Sequence, residues 1–179
     1  MNDIKKIVII GPESTGKTTL CKSLAEHYNT NWCPEYAREY LLKNRSTYTY
    51  EELLTIAKGQ LLQEETNLPR VQLNKEVKYF IDTNMMVMKV WSEFVFGKCH
   101  EFILEELEKR TYDLYLLCVP DLEWKKDELR EYPDLSTRQK LFNIYETHLR
   151  AQDVPWFKIF GKDELRLMKS IEIIDEYFK

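Results

Sequence analysis

The sequence predicts an α/β fold in three layers, with a parallel sheet of about five strands between two layers of helices. Three observations carry that expectation. Short apolar runs without polar alternation recur along the chain, among them KKIVII (5–10), VKYFID (77–82) and YDLYLLCV (112–119). Longer stretches with helical spacing separate them. The first run opens directly into GPESTGKT (11–18), two glycines bracketing four residues before Gly-Lys-Thr. Strands of this kind are buried on both faces, and their alternation with helices closes a parallel sheet through right-handed crossovers.

Each element follows in order. After the first strand, a helix runs from about Gly16 to Tyr28, with Leu20, Leu24 and Tyr28 four residues apart on one apolar face. NTNWCPEY (29–36) reads as a short strand broken by Pro34, and EYAREYLLKN (35–44) as a second helix. Helix formers dominate from Tyr50 to about Lys78, where Pro69 ends one helix and starts another. VKYFIDTN (77–84) is a strand ending at Asp82, followed by the helical MMVMKVWSEFVF (85–96), which stops near Gly97. HEFILEELEKR (100–110) is a helix leading into the strand YDLYLLCVP (112–120), which Pro120 terminates. Residues 121–137 are charged and poor in aliphatics, and read as a mobile surface segment. RQKLFNIYETHLR (138–150) is helical, VPWFKIF (154–160) is the last strand, and KDELRLMKSIEIIDEYF (162–178) closes the chain as an amphipathic helix.

A length of 179 residues suits one domain, taken as 1–179. No run of about 18 apolar residues could span a bilayer, so no membrane partner is expected. The opening MNDIKKIVII has only four consecutive apolar residues before the glycine loop, so it does not read as a signal peptide, and a cytoplasmic location is expected. The net charge of -4 speaks against a nucleic-acid partner, which needs a basic surface. Cys21, Cys33, Cys99 and Cys118 form no Cys-x-x-Cys pair, and His27, His100 and His148 lie at no metal-ligand spacing from them. They read as free thiols of a reducing compartment. The oligomeric state is left open.

The spacing Gly-x-x-x-x-Gly-Lys-Thr is that of a P-loop, whose backbone N–H groups surround a phosphate. Gly11, Glu13, Ser14, Thr15, Gly16, Lys17, Thr18 and Thr19 are the expected ATP contacts. Lys17 supplies charge to the β and γ phosphates, and the Thr18 hydroxyl is placed for Mg²⁺. Three protein classes use such a loop. A GTPase would carry a glycine after its second acidic motif, here DTNMMV (82–87), and an aspartate where NKEV (74–77) has Val77. A mechanical ATPase would be larger and carry a second acid beside Asp82. A small kinase with a small-molecule acceptor fits best.

In such sheets ligands bind beyond the carboxyl ends of the strands. Glu35 and Asp82 lie there, and either could accept the proton of an attacking hydroxyl while Asp82 joins Thr18 at the metal. Capping the helices that begin beside them is the competing role. The charged segment at about 121–137 reads as a lid, with Arg130 expected to stabilise the migrating phosphoryl group and Arg138 to contact the nucleotide. Lys125 and Lys126 lie in the same segment. Arg38 is expected in the acceptor pocket, with Tyr36 and Trp124 stacking on a planar substrate ring. Helical spacing assigns Trp91, Phe94 and Phe96 to the core, and the adenine is expected near Gly161 and Lys162.

GPESTGKTTL, PEYAREYL, IAKGQ, FIDTN and YDLYLLCVPDLEWKKDELR, in this order, resemble the ribosylnicotinamide kinase domain of bacterial NadR-like proteins over nearly the whole chain. The resemblance implies a P-loop nucleoside kinase fold and ATP-dependent phosphorylation of the 5′-hydroxyl of nicotinamide riboside, giving nicotinamide mononucleotide for NAD synthesis. It places the nucleotide loop at Gly11 through Thr19, the acceptor side at Glu35, Tyr36, Arg38 and Asp82, and the lid at Trp124, Asp127 and Arg130. Two positions depart from the family pattern, Asn84 where a second aspartate is common and Glu128 where a glycine is common. The adenylyltransferase and DNA-binding domains often joined to this kinase have no counterpart in these residues, so their activities are not expected. A kinase of another nucleoside or nucleotide, or an ATP-binding regulatory module, is the alternative.

Overall fold

The β-branched run at 7–10 has no exposed surface and forms the end of β1 (Ile4–Ile10), the central strand of a five-stranded sheet. The computed structural model describes residues 4–44, 47–70 and 76–179. Its other strands are β2 (Trp32–Cys33), β3 (Val77–Asp82), β4 (Leu114–Cys118) and β5 (Trp156–Ile159), and the order across the sheet is β2-β3-β1-β4-β5. All pairings are parallel. The seven helices among the described residues are α1 (Lys17–His27), α2 (Tyr36–Asn44), α3 (Tyr50–Thr66), α4 (Met85–Phe96), α5 (Glu101–Lys109), α6 (Leu135–Arg150) and α7 (Asp163–Tyr177).

Alternation along the strands sorts the core into two layers. Ile7, Ile9, Phe80, Leu114, Leu116 and Cys118 point toward α1 and α7, whose Leu20, Leu24 and Ile174 close that layer. Val8, Ile10, Tyr79, Ile81, Tyr115 and Leu117 point the other way, into a larger layer with α2 to α6. The register pairs Ile9 with Asp82 and Ile10 with Leu117. The glycine loop, Asp82 and the end of β4 therefore emerge at one edge of the sheet, and Glu35 follows two residues after β2.

Local signals set the boundaries, and some differ from the expected ones. β2 is confined to two residues because Pro34 has no N–H to continue the ladder. A reciprocal capping box between Thr49 and Glu52 starts α3, which ends at Thr66. Leu68–Arg70 is not helical, and residues 71–75, where the helix expected after Pro69 would continue, lie outside the described residues. The α6 helix begins at Leu135 rather than Arg138, because the Asp134 carboxylate accepts a 2.6 Å hydrogen bond from the Thr137 N–H and caps it. No helix among the described residues is long and apolar enough to cross a membrane.

Candidate active site

The phosphate loop is a backbone device. A Cβ on Gly11, at φ 143°, would stand 2.7 Å from the Cys118 carbonyl oxygen, so only glycine lets β1 turn into the loop this close to β4. Gly16, at φ 76°, turns the chain into α1 as its cap. Between them, the Thr15 hydroxyl donates to the Pro12 carbonyl at 2.7 Å and the Lys17 ammonium donates to the same oxygen at 2.9 Å. Behind the loop, the buried Arg166 of α7 donates to the Thr15 carbonyl at 2.9 Å and pairs with Asp121. Asp121 also accepts from the Gly161 N–H at 2.7 Å, so the loop after β5, expected near the adenine, is tied to the same clamp. Neither Arg166 nor Asp121 carries a spacing signal that sequence reasoning could have used.

Beneath the loop, the Thr18 hydroxyl donates to Asp82 Oδ2 at 2.5 Å. Asp82 has no exposed surface and its Oδ1 has no partner. Burial, and secondarily the nearby Glu35 carboxylate, raise its pKa to about 7, against the opposing pull of Lys17 and the Thr18 hydroxyl. An orphaned carboxylate oxygen beside a threonine hydroxyl is a donor set that suits a hard cation, directly or through its water shell. Thr83, at φ 77°, turns the chain straight from β3 into the cap of α4. A β-branched residue rarely adopts that angle, so the strand end is strained where it meets the site.

A cavity of about 400 Å³ extends from this loop. Residues 11–19, Glu35, Arg38, Asp127, Leu129, Arg130, Glu131 and Tyr132 line it, with Tyr48, Val87, Trp91, Phe94, Leu141 and Tyr145 behind them. The turn into α2 delivers Glu35, and α3 holds that turn. Gln60 accepts from the Tyr36 N–H at 2.8 Å and donates to the Pro34 carbonyl at 3.3 Å. Gly59 is required beside it, since a Cβ there would lie 2.0 Å from the Tyr36 ring. The fragment IAKGQ thus serves to position Glu35. The Glu35 carboxylate also helps burial raise the Tyr145 phenol.

The segment 121–134 crosses the cavity mouth and is bonded to both sides of it. Glu13 accepts from Trp124 Nε1 at 3.2 Å and from the N–H groups of Tyr132 at 2.7 Å and Glu131 at 3.0 Å. Arg38 and Asp127 form a two-pronged ion pair at 2.9 and 3.2 Å, which holds the Asp127 carboxyl below its usual range. Arg130 donates to the Lys125 carbonyl at 2.6 Å.

The expected site residues divide accordingly. Residues 11–19, Glu35, Arg38, Asp127 and Arg130 meet at the cavity, with Asp82 sealed beneath Thr18. Tyr36 packs on Gly59 and Trp124 bonds to Glu13, and neither lines the cavity. Arg138 is buried in α6, donating to the Leu122 carbonyl at 3.3 Å, because the earlier helix start turns it inward. Trp91 and Phe94, read as core, do pack on it, yet they also line the cavity. Tyr48, Tyr132 and Tyr145 line the cavity in addition to the expected residues. The pair Leu141 and Tyr145, four apart, was a stripe that could have been read as a cavity wall.

The two departures from the family pattern have local explanations. Asn84 caps α4 by accepting from the Met86 N–H at 3.1 Å and donates to the Tyr115 hydroxyl at 3.0 Å, outside the cavity. Glu128 keeps a negative φ, so its turn needs no glycine.

A family model described as an AAA domain (AAA_28) matches residues 6–166. The trifunctional NAD biosynthesis/regulator protein NadR of Escherichia coli K12 is 24% identical over 97% of the chain, which spans 42% of that relative. A crystal structure of NadR protein in complex with NR superposes with a TM-score of 0.72 at 22% identity, over 97% of this chain and 51% of that one. Deoxyadenosine kinase from M. mycoides with bound dATP superposes with a TM-score of 0.58 at 9% identity, over 96% and 99%. The fold is thus that of P-loop nucleoside and nucleotide kinases.

Proposed function

From the premise that this chain belongs to the AAA_28 family of AAA domains, with relatives among NAD-related and nucleoside kinases, we propose that it phosphorylates nicotinamide riboside from ATP. The observation that carries this reading is the joining of a phosphate loop and a carboxylate-bearing aromatic chamber in one cavity. Nicotinamide riboside presents a planar ring with a fixed positive charge. The rings of Tyr48, Trp91, Phe94, Tyr132 and Tyr145, with the Glu35 and Glu131 carboxylates, suit a flat cation.

The chain's residues then divide the work. The backbone of residues 11–16 surrounds the phosphates, and Lys17 releases the Pro12 carbonyl to meet them. Glu35, on the cavity wall, accepts the proton of the ribose 5′-hydroxyl as its oxygen attacks the γ-phosphorus, while the bond from that phosphorus to the β,γ-bridging oxygen breaks and ADP leaves. The burial of Asp82 under Thr18, against the place of Glu35 on the cavity wall, supports Glu35 rather than Asp82 in that role. Arg130 offsets charge on the migrating group, and the 121–134 segment excludes water. Thr18 and Asp82 would hold Mg²⁺, which neutralises phosphate charge when bound.

ADP release in Mg²⁺-ATP is the test, with nicotinamide riboside beside adenosine, uridine, thymidine and several nucleoside monophosphates. A clear preference for nicotinamide riboside is expected. Preference for a neutral nucleoside would overturn the cationic reading and favour another nucleoside kinase. Silence on all acceptors with ATP still bound would point to a regulatory module.

A further inference from the structure

The third residue of the phosphate loop, Glu13, is an anomaly. A carboxylate beside an anion site repels the ligand unless other donors occupy it, and Glu13 is a carboxylate. Its two oxygens take three N–H donors, Trp124 Nε1 and the backbone of Glu131 and Tyr132, all from the segment that closes the cavity. Glu131 is held from the opposite side as well. Its Oε2 accepts from the Tyr48 hydroxyl at 3.0 Å, and that hydroxyl accepts from Trp91 Nε1 at 2.7 Å. A hydrogen-bonded chain therefore runs from the nucleotide loop through Glu131 to the aromatic wall of the acceptor chamber.

We propose that Glu13 is a positioning residue that couples the two substrates, latching the 124–132 segment so that bound nucleotide tightens acceptor binding and bound acceptor tightens nucleotide binding. The acceptor half of this claim rests on the kinase reading above. Physically, Leu129, Arg130, Glu131 and Tyr132 line the cavity only while their segment is held there. Nucleotide orders the loop that carries Glu13, and an acceptor orders the wall that carries Tyr48 and Trp91. Whichever ligand binds first meets part of the ordering cost for the second. The coupling is reciprocal by linkage.

Two measurements on the whole chain decide the matter. In the first, amide hydrogen exchange is followed at Glu131 and Tyr132 without any acceptor, in wild type, Glu13→Ala and Glu13→Gln. Exchange at least about tenfold faster in Glu13→Ala is expected, partly restored in Glu13→Gln, which keeps an acceptor oxygen. Equal protection in all three proteins would overturn the latch. In the second, the nicotinamide riboside Kd is measured with and without a non-hydrolysable ATP analogue. A roughly tenfold tightening is expected in wild type, falling toward none in Glu13→Ala and Tyr48→Phe. An unchanged ratio in both variants would overturn the coupling. Tyr48→Phe breaks the chain from its far end, so it carries the test if Glu13→Ala does not fold. If wild type binds no riboside, the substrate reading falls while the exchange experiment still decides the latch.

Discussion

The two halves of the cavity are built by different means. The phosphate half is one short backbone turn, shaped by Gly11 and Gly16 and braced by Thr15, Lys17 and Arg166. The half proposed for the acceptor is assembled from side chains delivered by α2 and the turn into it, α4, α6 and the 121–134 segment. Coding in backbone makes the shape of the first half local in sequence, although Arg166 and the end of β4 brace it from behind. Coding in side chains makes the second depend on distant contacts, such as Gly59 and Gln60 under Glu35.

Substitutions can break this contrast, beginning with the strongest. Lys17→Ala removes the charge meant for the transferred phosphoryl group, and turnover should fall by about a thousandfold with the fold intact. Retained turnover would mean that the reaction does not pass through this loop. Glu35→Gln should lower kcat by about a hundredfold while ATP analogue affinity stays within about twofold. Equal losses in nucleotide affinity would show that Glu35 belongs to the phosphate half instead.

Gly59→Ala tests the indirect character of the acceptor half. Its new Cβ meets the Tyr36 ring, so α2 must shift and carry Glu35 and Arg38 with it. A stability loss of about 1–3 kcal/mol and a raised acceptor KM are expected, with ATP binding little changed. Adding Tyr36→Ala should recover part of the stability, as measured by thermal unfolding. No recovery would place the damage elsewhere.

The last effect, which leaves the reaction aside, is a pH slope in stability. Burial, and secondarily Glu35, push the Asp82 carboxyl up from 3.8 to about 7, so the native state holds a proton that the unfolded chain releases earlier. Its stabilising contribution is full below about pH 4 and is lost as pH rises through about 7. Asp82→Asn should flatten the fall in melting temperature between those values. A slope unchanged in the variant would assign it to other groups.

The same contrast governs what could be read from residues alone. Gly-x-x-x-x-Gly-Lys-Thr after a buried strand is a local pattern, so the loop and the parallel sheet were both legible. Asp82 was legible as a strand-end acid, but its burial and its contact with Thr18 depend on packing. Trp91 and Phe94 have the spacing of core residues because they are core on one side and cavity wall on the other. Arg138 follows the charged segment directly in sequence, yet Asp134 starts α6 three residues before it, and Arg138 lies buried in that helix beside the Leu122 carbonyl. Tyr36 shared a motif with Glu35 and Arg38, yet its ring faces Gly59, a contact 23 residues away that no local pattern encodes.

The most direct measurement is detection of the product itself. Wild type and Glu35→Gln are incubated with Mg²⁺-ATP and nicotinamide riboside, and the riboside is followed by mass spectrometry while ATP analogue binding is measured in parallel. The account expects nicotinamide mononucleotide from wild type, and almost none from Glu35→Gln despite intact nucleotide binding. Mononucleotide formed equally by both proteins would contradict the assignment of the acceptor half, and none from either would contradict the proposed reaction.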